Sequence, residues 1–430
     1  MKDDKYFWKY EMEPGLTLKK DYLKKQNDDT PLVSIITSYY NANEFMWQTI
    51  NCVLNQTFPY WEWIIVDDGS TNKEAVEYLE KVEKIDERIK VYHKKNEGLA
   101  KGRDYAIKFS NSKYILPLDA DDLIEKEYIE TLYWVLETNK EASWAFTDSV
   151  GFGKYIYLVD YPFDSEKMKT ENLITATALI RKEKILELDG YGVAKRYVNE
   201  DWHLWLRMLA KGDFPVQVSF YGFWYRRRKE SLLTQINDDK NKENELRLRD
   251  LKIEADKIEK RVNAKIYPLA EAGKELEYCR LDWNKQLSKE KETILYIISD
   301  VQIDSKLYKE LKSKSNEEDV VIIAMENTKY SQYTVRQRLE NFAEIFNLPT
   351  FLDKKYFQGF IEYIIKSRNV KNAFVQNEYM NLEVLENTQK NEIRYKDSKT
   401  KYKLMIMRYK VQHTLIGRAI RKLIRKLKKA

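Results

Sequence analysis

Between residues 31 and 150 the apolar positions switch repeatedly between two spacings, and the switching predicts strands and helices in turn. The apolar run of "PLVSIITSYY" (31–40) reads as a buried strand. "NEFMWQTINCVLNQT" (43–57) reads as a helix with its stripe at Trp47, Ile50, Val53 and Leu54. The rhythm continues through strand "YWEWIIVDDGS", helix "KEAVEYLEKVEK", short strand "RIKVYHKK" and helix "GLAKGRDYAIKFSN". A strand at Tyr114 to Leu118, helix "EKEYIETLYWVLETN" and strand "ASWAFTDSV" complete it. Near-continuous apolar strands separated by helices imply an α/β domain with a mostly parallel sheet covered on both faces.

Beyond residue 150 the pattern loosens, although "ENLITATALIRKEKILELDGYG" and "NEDWHLWLRMLAKG" retain order. Residues 237–291 are dense in Lys, Glu, Asp and Asn, with no proline until Pro268, and predict a charged helical connector packed along the first domain. "TILYIISD", "DVVIIAME", the amphipathic "YFQGFIEYIIKSRN" and "NAFVQN" then predict a smaller α/β domain. In "HTLIGRAIRKLIRKLKKA" (413–430) Ile416, Ile420, Leu423, Ile424 and Leu427 share one helical face and basic residues fill the rest. The expected organisation is an N-terminal extension (1–30), a first α/β domain (31–236), the connector (237–291), a small Rossmann-like domain (292–395) and a basic amphipathic helix (401–430).

Length and composition narrow the function classes. The 430 residues suffice for two or three domains, and 43% hydrophobic with 33% charged residues excludes wholesale disorder. The net charge of +6 is uneven, because residues 401–430 hold eleven Lys or Arg and no acid, leaving −5 on the rest. A mildly acidic body argues against a nucleic-acid binder and confines any anionic partner to the tail. The tail helix suits an anionic membrane surface. "MKDDKYFWKYEMEPG" is charged where a signal peptide is apolar, and no run reaches the roughly 18–20 apolar residues of a spanning helix. The expected location is therefore cytoplasmic, peripheral on the inner face of the cell membrane. Cys52 and Cys279 make no disulfide framework or zinc cluster, and His93, His203 and His413 are far apart. A metal here is expected to be Mg²⁺ or Mn²⁺ held by oxygen.

The chemistry gathers at predicted strand ends, where open α/β sheets bind ligands. Thr37 to Tyr39, Asp67–Asp68 and Asp119–Asp122 all fall there. In "SKYILPLDADDLIEKEYIE" (112–130) an N-cap accounts for Asp122, but not for Asp119 and Asp121 together at one strand tip. A divalent cation bridging them to substrate phosphates would offset their repulsion. "IIVDDGSTN" (64–72) is a turn with Gly69 at the bend, and Asp67 and Asp68 can accept hydrogen bonds from a nucleoside. In "VNEDWHLWLRML" (198–209) Asp201 shares the inward face of Leu204, Trp205 and Met208, as suits a fixed general base. Glu200 is expected to point elsewhere. "FWYRRRKES" (223–231) offers Arg226 to Arg228 to a diphosphate.

"SIITSYYNANEFMWQTINCVLNQTFPYWEWIIVDDGSTN", "NEGLAKGRDYAI", "YILPLDADD" and "NEDWHLWLRMLAKG" together resemble, in order and spacing, the nucleotide-sugar-dependent glycosyltransferases of family 2, over about residues 31 to 235. The resemblance implies a GT-A fold, a divalent metal, and inverting transfer from a nucleotide-diphospho-sugar to a glycan or lipid-linked acceptor. It further implies that Thr37, Tyr39 and Asp68 contact the nucleoside and that Arg103 lies near the nucleotide. Asp119 and Asp121 would be the DxD pair, Asp121 the more direct metal ligand, and Asp201 the base. Two positions depart from the family pattern: Arg228 stands where many relatives carry His, and Asp104 where Asn is common. The 292–390 domain resembles the first lobe of a two-lobed GT-B transferase without its second lobe, which points to packing, self-association or acceptor binding. Membrane docking through 413–430 would suit cell-surface polysaccharide synthesis. Two rivals stand beside this reading. A sugar-1-phosphate nucleotidyltransferase needs a glycine-rich, basic loop after the first strand, where "TSYYNANEF" has no glycine. A membrane-bound scaffold with an inactive transferase domain would bind neither nucleotide sugar nor metal.

Overall fold

The computed structural model describes residues 13–18, 30–192, 199–228, 242–269, 279–281, 287, 291–299, 305–326, 339, 342–368, 370–375 and 394–395. The expected helix at 413–430 and most of the N-terminal extension lie outside them. The chain forms two compact units, one mainly from residues up to Glu275 with Leu348–Tyr356, the other from Lys291–Asn347 and from Phe357 onward.

The first unit begins with the predicted alternation: β1 (Val33–Tyr39), α1 (Met46–Leu54), β2 (Trp61–Asp67), α2 (Lys73–Val82), β3 (Ile89–His93), α3 (Leu99–Phe109), β4 (Tyr114–Pro117), β5 (Leu123–Ile124), α4 (Tyr128–Thr138) and β6 (Trp144–Gly153). It continues with β7 (Tyr157–Val159), α5 (Ser165–Met168), β8 (Leu179–Arg181), α6 (Lys182–Leu186), α7 (Glu200–Ala210) and β9 (Pro215–Arg227). The helix Lys242–Asp256 (α8) and the short strand Lys265–Ile266 (β10) follow. The sheet runs β10-β9-β6-β8-β4-β1-β2-β3, with β5 paired to β9 and β7 to β6. β3, β2, β1 and β4 are parallel, and β8 is antiparallel to both β4 and β6. Ile35, Ile36, Ile64 and Ile65 are all buried, so neighbouring residues on both sheet faces are covered, as continuous apolar strands require.

Three expectations change. Trp47 is exposed, because Met46 takes the inward place in the first turn of α1. The connector is not wholly helical: α8 packs on α7, and β10 then adds a parallel edge strand beside β9. The region after residue 150 is more regular than its pattern suggests, since β9 is a thirteen-residue strand pairing with β6.

The second unit is a small α/β domain of β11 (Thr293–Ile298), α9 (Ser305–Lys314), β12 (Asp319–Ala324), β13 (Ala343–Asn347), α10 (Phe357–Ser367), β14 (Val370–Val375) and β15 (Arg394–Tyr395). Its described strands are all parallel, in the order β13-β12-β11-β14-β15. Chain order thus reverses at β11, as in doubly wound sheets.

Candidate active site

The parallel strands β1, β2 and β4 end at one rim, and α3 is pressed against it. A side chain at Gly102 would bring a carbon within 2.1 Å of Ser38 Oγ, so glycine permits the close approach of α3 to the end of β1. Arg103 follows directly and is almost wholly buried. Its Nη2 donates to Asp119 at 2.7 Å and its Nη1 to Glu200 at 2.5 Å. Asp104 accepts from the Tyr191 amide at 2.8 Å, and the Arg103 guanidinium lies 5.6 Å from the Tyr191 ring. Arg103 is therefore a strut joining the strand tip to the start of α7, with both terminal nitrogens committed to the protein itself.

Two arginines, Arg226 of β9 and Arg228 just after it, enter the acidic tip. Arg226 donates from its backbone to Asp122 at 2.8 Å and from Nε to the Asp121 carbonyl at 2.7 Å, while Nη2 reaches Gln48 at 2.6 Å. Its guanidinium also lies 4.2 Å from Phe45 and 4.4 Å from Phe152. Arg228 pairs with Asp121 at 2.8 Å. These arginines offset part of the repulsion among the crowded carboxylates. Arg226 is thus a brace inside the tip, whereas Arg228 remains 38% exposed at its mouth. Burial pushes the Asp121 carboxyl up against the pull of Arg228, and it pushes Asp122 well up, with Asp121 and Asp119 adding to the rise.

At α7 the two acids divide their tasks. Glu200 is buried and faces Arg103, a correction to its expected orientation; burial raises its pKa to about 7 despite that arginine. Asp201 is half-buried and accepts from the Trp202 amide at 2.8 Å and from Asn172 Nδ2 at 3.0 Å. Burial raises the Asp201 carboxyl as well, while the Trp202 amide pulls it back. Leu204, Trp205 and Met208 are buried, as their spacing predicts. Asn199, just before the helix, holds φ at +65°, a conformation asparagine tolerates better than most residues, and its side chain accepts from Arg247. No residue of the motif itself announces Asn172 or Arg247.

The residues assigned to a nucleoside are mostly occupied. Thr37 is buried, donating to the Leu118 carbonyl at 2.6 Å and accepting from Trp63 at 2.9 Å. Tyr39 is also buried, with its hydroxyl on the Ala75 carbonyl at 3.2 Å. Both side chains are taken up by the fold, Thr37 by β2 and the chain just past β4, Tyr39 by the first turn of α2. The exposed ring is Tyr40, at 48%, which the sequence reading passed over although it sits one place further along. Asp67 holds the turn through the Ser70 amide and pairs with His93 Nδ1, each at 2.9 Å. Asp68 accepts from Lys94, from the Glu97 amide at 2.9 Å and from the Gly98 amide at 2.7 Å, tying β2 to the entry of α3. Gly69 makes that bend at φ +74°.

Among the described residues no group of three or more His, Cys, Asp or Glu is arranged to hold a metal. The donor chemistry nevertheless fits magnesium or manganese, which bind through one or two carboxylates and complete their shell with phosphate oxygens and water. Asp119 and Asp121 supply such hard oxygens, and a substrate diphosphate would supply the remainder.

A mostly parallel α/β sheet with an acidic loop after its central strand, joined through a buried arginine to an acidic helix start, defines a GT-A type transferase. The family model described as "Glycosyl transferase family 2" matches residues 34–194. The chain is 34% identical over 192 residues to "Putative teichuronic acid biosynthesis glycosyltransferase TuaG" of Bacillus subtilis, covering 42% of this chain and 73% of that protein. It is 29% identical over 231 residues to an uncharacterized glycosyltransferase of Methanocaldococcus jannaschii, covering 49% and 77%. The chain belongs to glycosyltransferase family 2. A crystal structure of S. aureus TarS 1-349 with UDP-GlcNAc is similar at 19% identity and a TM-score of 0.41, over 47% of this chain and 60% of that one, a likeness too loose to inform the site. No helix among the described residues is long and apolar enough to cross a membrane.

Proposed function

We propose that the first unit carries out metal-dependent, inverting transfer of a sugar from a nucleotide-diphospho-sugar to a hydroxyl of a glycan or lipid-linked glycan, in bacterial cell-surface polysaccharide synthesis. The observation that carries it is the Arg103 strut, which brings the Asp119–Asp121 tip and the Glu200–Asp201 pair to one rim. The name of the Bacillus subtilis relative supports the polysaccharide setting. The basic, amphipathic sequence pattern of residues 413–430 supports docking on an anionic membrane.

In this reading Asp201 removes the acceptor proton. Its raised pKa makes it a stronger base than a free aspartate, and the Trp202 amide and Asn172 hold it in place. The acceptor oxygen forms its bond to the anomeric carbon as the bond to the diphosphate breaks, the electron pair leaving with the nucleoside diphosphate. Bound at Asp119 and Asp121, the metal would supply electrostatic stabilisation of that leaving group. Arg228 is the cation we assign to the diphosphate, and Tyr40 the ring we assign to the nucleoside. Glu200 and Arg103 position the two halves of the site.

The test is sugar transfer from a panel of nucleotide-diphospho-sugars. Asp201→Asn is expected to lose about 10²–10⁴-fold in turnover, and a chelator should abolish transfer until Mn²⁺ or Mg²⁺ is restored. Near-normal turnover by Asp201→Asn would remove it from the role of base.

A further inference from the structure

The helix α8 lies in the connector, beyond the residues 34–194 that the family model matches, and yet it reaches the start of α7. Its inward face carries Leu251 and Ala255, continued by Ile258, in the same core cluster as Leu204, Trp205 and Met208. Arg247 stands one turn before Leu251 on that face and is half-buried, while its neighbours Leu246 and Leu248 are 49% and 52% exposed. A helix that turns an arginine inward and leucines to water reverses what burial alone would select. The arginine has a specific partner there: its Nη1 donates to Asn199 Oδ1 at 2.5 Å.

Asn199 is the N-cap of α7, a place where an asparagine side chain ordinarily accepts from the amide two or three residues on. Here it makes no such bond. Its backbone is left-handed, at φ +65° and ψ +32°, and its carbonyl accepts from the His203 amide at 2.9 Å. The Trp202 amide, third in the helix and one that a cap would claim, is taken instead by Asp201 at 2.8 Å. That same bond, with the one from Asn172, holds the proposed base in place. Asn199 and Asp201 are therefore rival acceptors for one donor, and Arg247 engages the first of them.

We infer that Arg247 is a positioning residue for the reaction: by holding the Asn199 side chain it leaves the Trp202 amide to Asp201. The inference rests on the proposed transfer with Asp201 as base. Without Arg247, Asn199 is released to cap α7, and Asp201 loses that anchor. Glycine at 199 has no side chain to cap with and adopts a positive φ freely, so Asn199→Gly should undo the damage.

Steady-state sugar transfer by the full chain tests this. Arg247→Ala should lower kcat about tenfold or more, since misplacing a catalytic group by about 1 Å can cost about 10²-fold, and should leave the donor KM parental. Adding Asn199→Gly should restore most of the lost kcat. In the Asp201→Asn background, Arg247→Ala should cost little more. An arginine that merely braced α8 on α7 would show neither the rescue nor the dependence on Asp201. Should Arg247→Ala fail to fold, Arg247→Met keeps the apolar stem, removes the donors and carries the same expectations. Parental kcat in the folded Arg247 variant, no rescue by Asn199→Gly, or full additivity with Asp201→Asn would overturn the assignment. Near-normal turnover by Asp201→Asn alone would remove the proposed base and this inference with it. A crippled Asp201→Asn beside a parental Arg247→Ala would remove this inference only.

Discussion

In the first unit the buried guanidinium of Arg103 lies at the carboxyl edge of a parallel sheet, between Asp119 just past β4 and Glu200 at the start of α7. In the second unit the buried guanidinium of Arg368 lies between α10 and β14, where it donates to Glu344 near the start of β13 at 3.1 Å and to the Tyr363 hydroxyl at 3.0 Å. The side-chain chemistry is the same and the sheet edge is opposite. Ligands of open α/β sheets bind beyond the carboxyl ends of the strands, so charge buried at that edge stands where a substrate would come. Charge at the amino edge can only fasten a helix to its sheet. The location of a buried ion pair, more than its existence, separates a site from a staple.

Removing either arginine tests this contrast. Arg103→Met leaves the buried Glu200 and the part-exposed Asp119 without their shared partner and should lower the unfolding free energy by about 3–5 kcal/mol. Sugar transfer by the fraction that remains folded should be largely lost, which comparison of denaturation curves with kinetics would establish. Arg368→Met should destabilise by a similar or smaller amount, about 3 kcal/mol, while kcat of the folded protein stays parental. A fall in kcat at Arg368 equal to that at Arg103 would break the contrast.

A smaller effect separates arginine-paired carboxyls from Asp148, which is held by the neutral carboxamide of Gln217. Burial raises the Asp148 pKa from 3.8 to about 7 against the hydrogen bond from Gln217, and Asp160 adds to the rise. Between those values the folded state holds a proton that the unfolded state has released, so stability falls as pH rises through this window. The slope from this group is at most about 1.4 kcal/mol per pH unit. Asp148→Asn should flatten it in urea titrations across that range, and an unchanged slope would show that Asp148 does not titrate there.

The smallest effect sharpens the rim itself, at two adjacent tyrosines. Tyr40→Ala should raise the donor KM about tenfold, equivalent to about 1.4 kcal/mol, with little change in melting temperature. Tyr39→Phe should cost about 1 kcal/mol of stability and leave the donor KM alone. The opposite split would return the nucleoside contact to Tyr39.

Much of this was legible in the chain. The strands from Val33 to Gly153 and the helices between them follow from apolar spacing, since a covered parallel sheet needs continuous apolar strands. The acids Asp67–Asp68 and Asp119–Asp122 were placed at strand ends on the same ground. What local spacing does not show is how far each rim residue is taken up by the fold itself. Thr37, Tyr39, Asp67, Asp68 and Arg226 are all engaged by neighbours within the fold, and Glu200 turns inward to an arginine 97 residues away in the chain.

The order of hydrophobic and polar residues by itself determined the elements, their α/β succession and the edge at which carboxylates collect, because side-chain direction relative to a strand or helix axis is a local property. Only the tertiary structure decided which carboxylate meets which arginine, that Tyr40 rather than Tyr39 is exposed, and that Asn172 reaches Asp201. Those pairings join residues distant along the chain, and their geometry is set by how helices pack on the sheet, which no local spacing encodes.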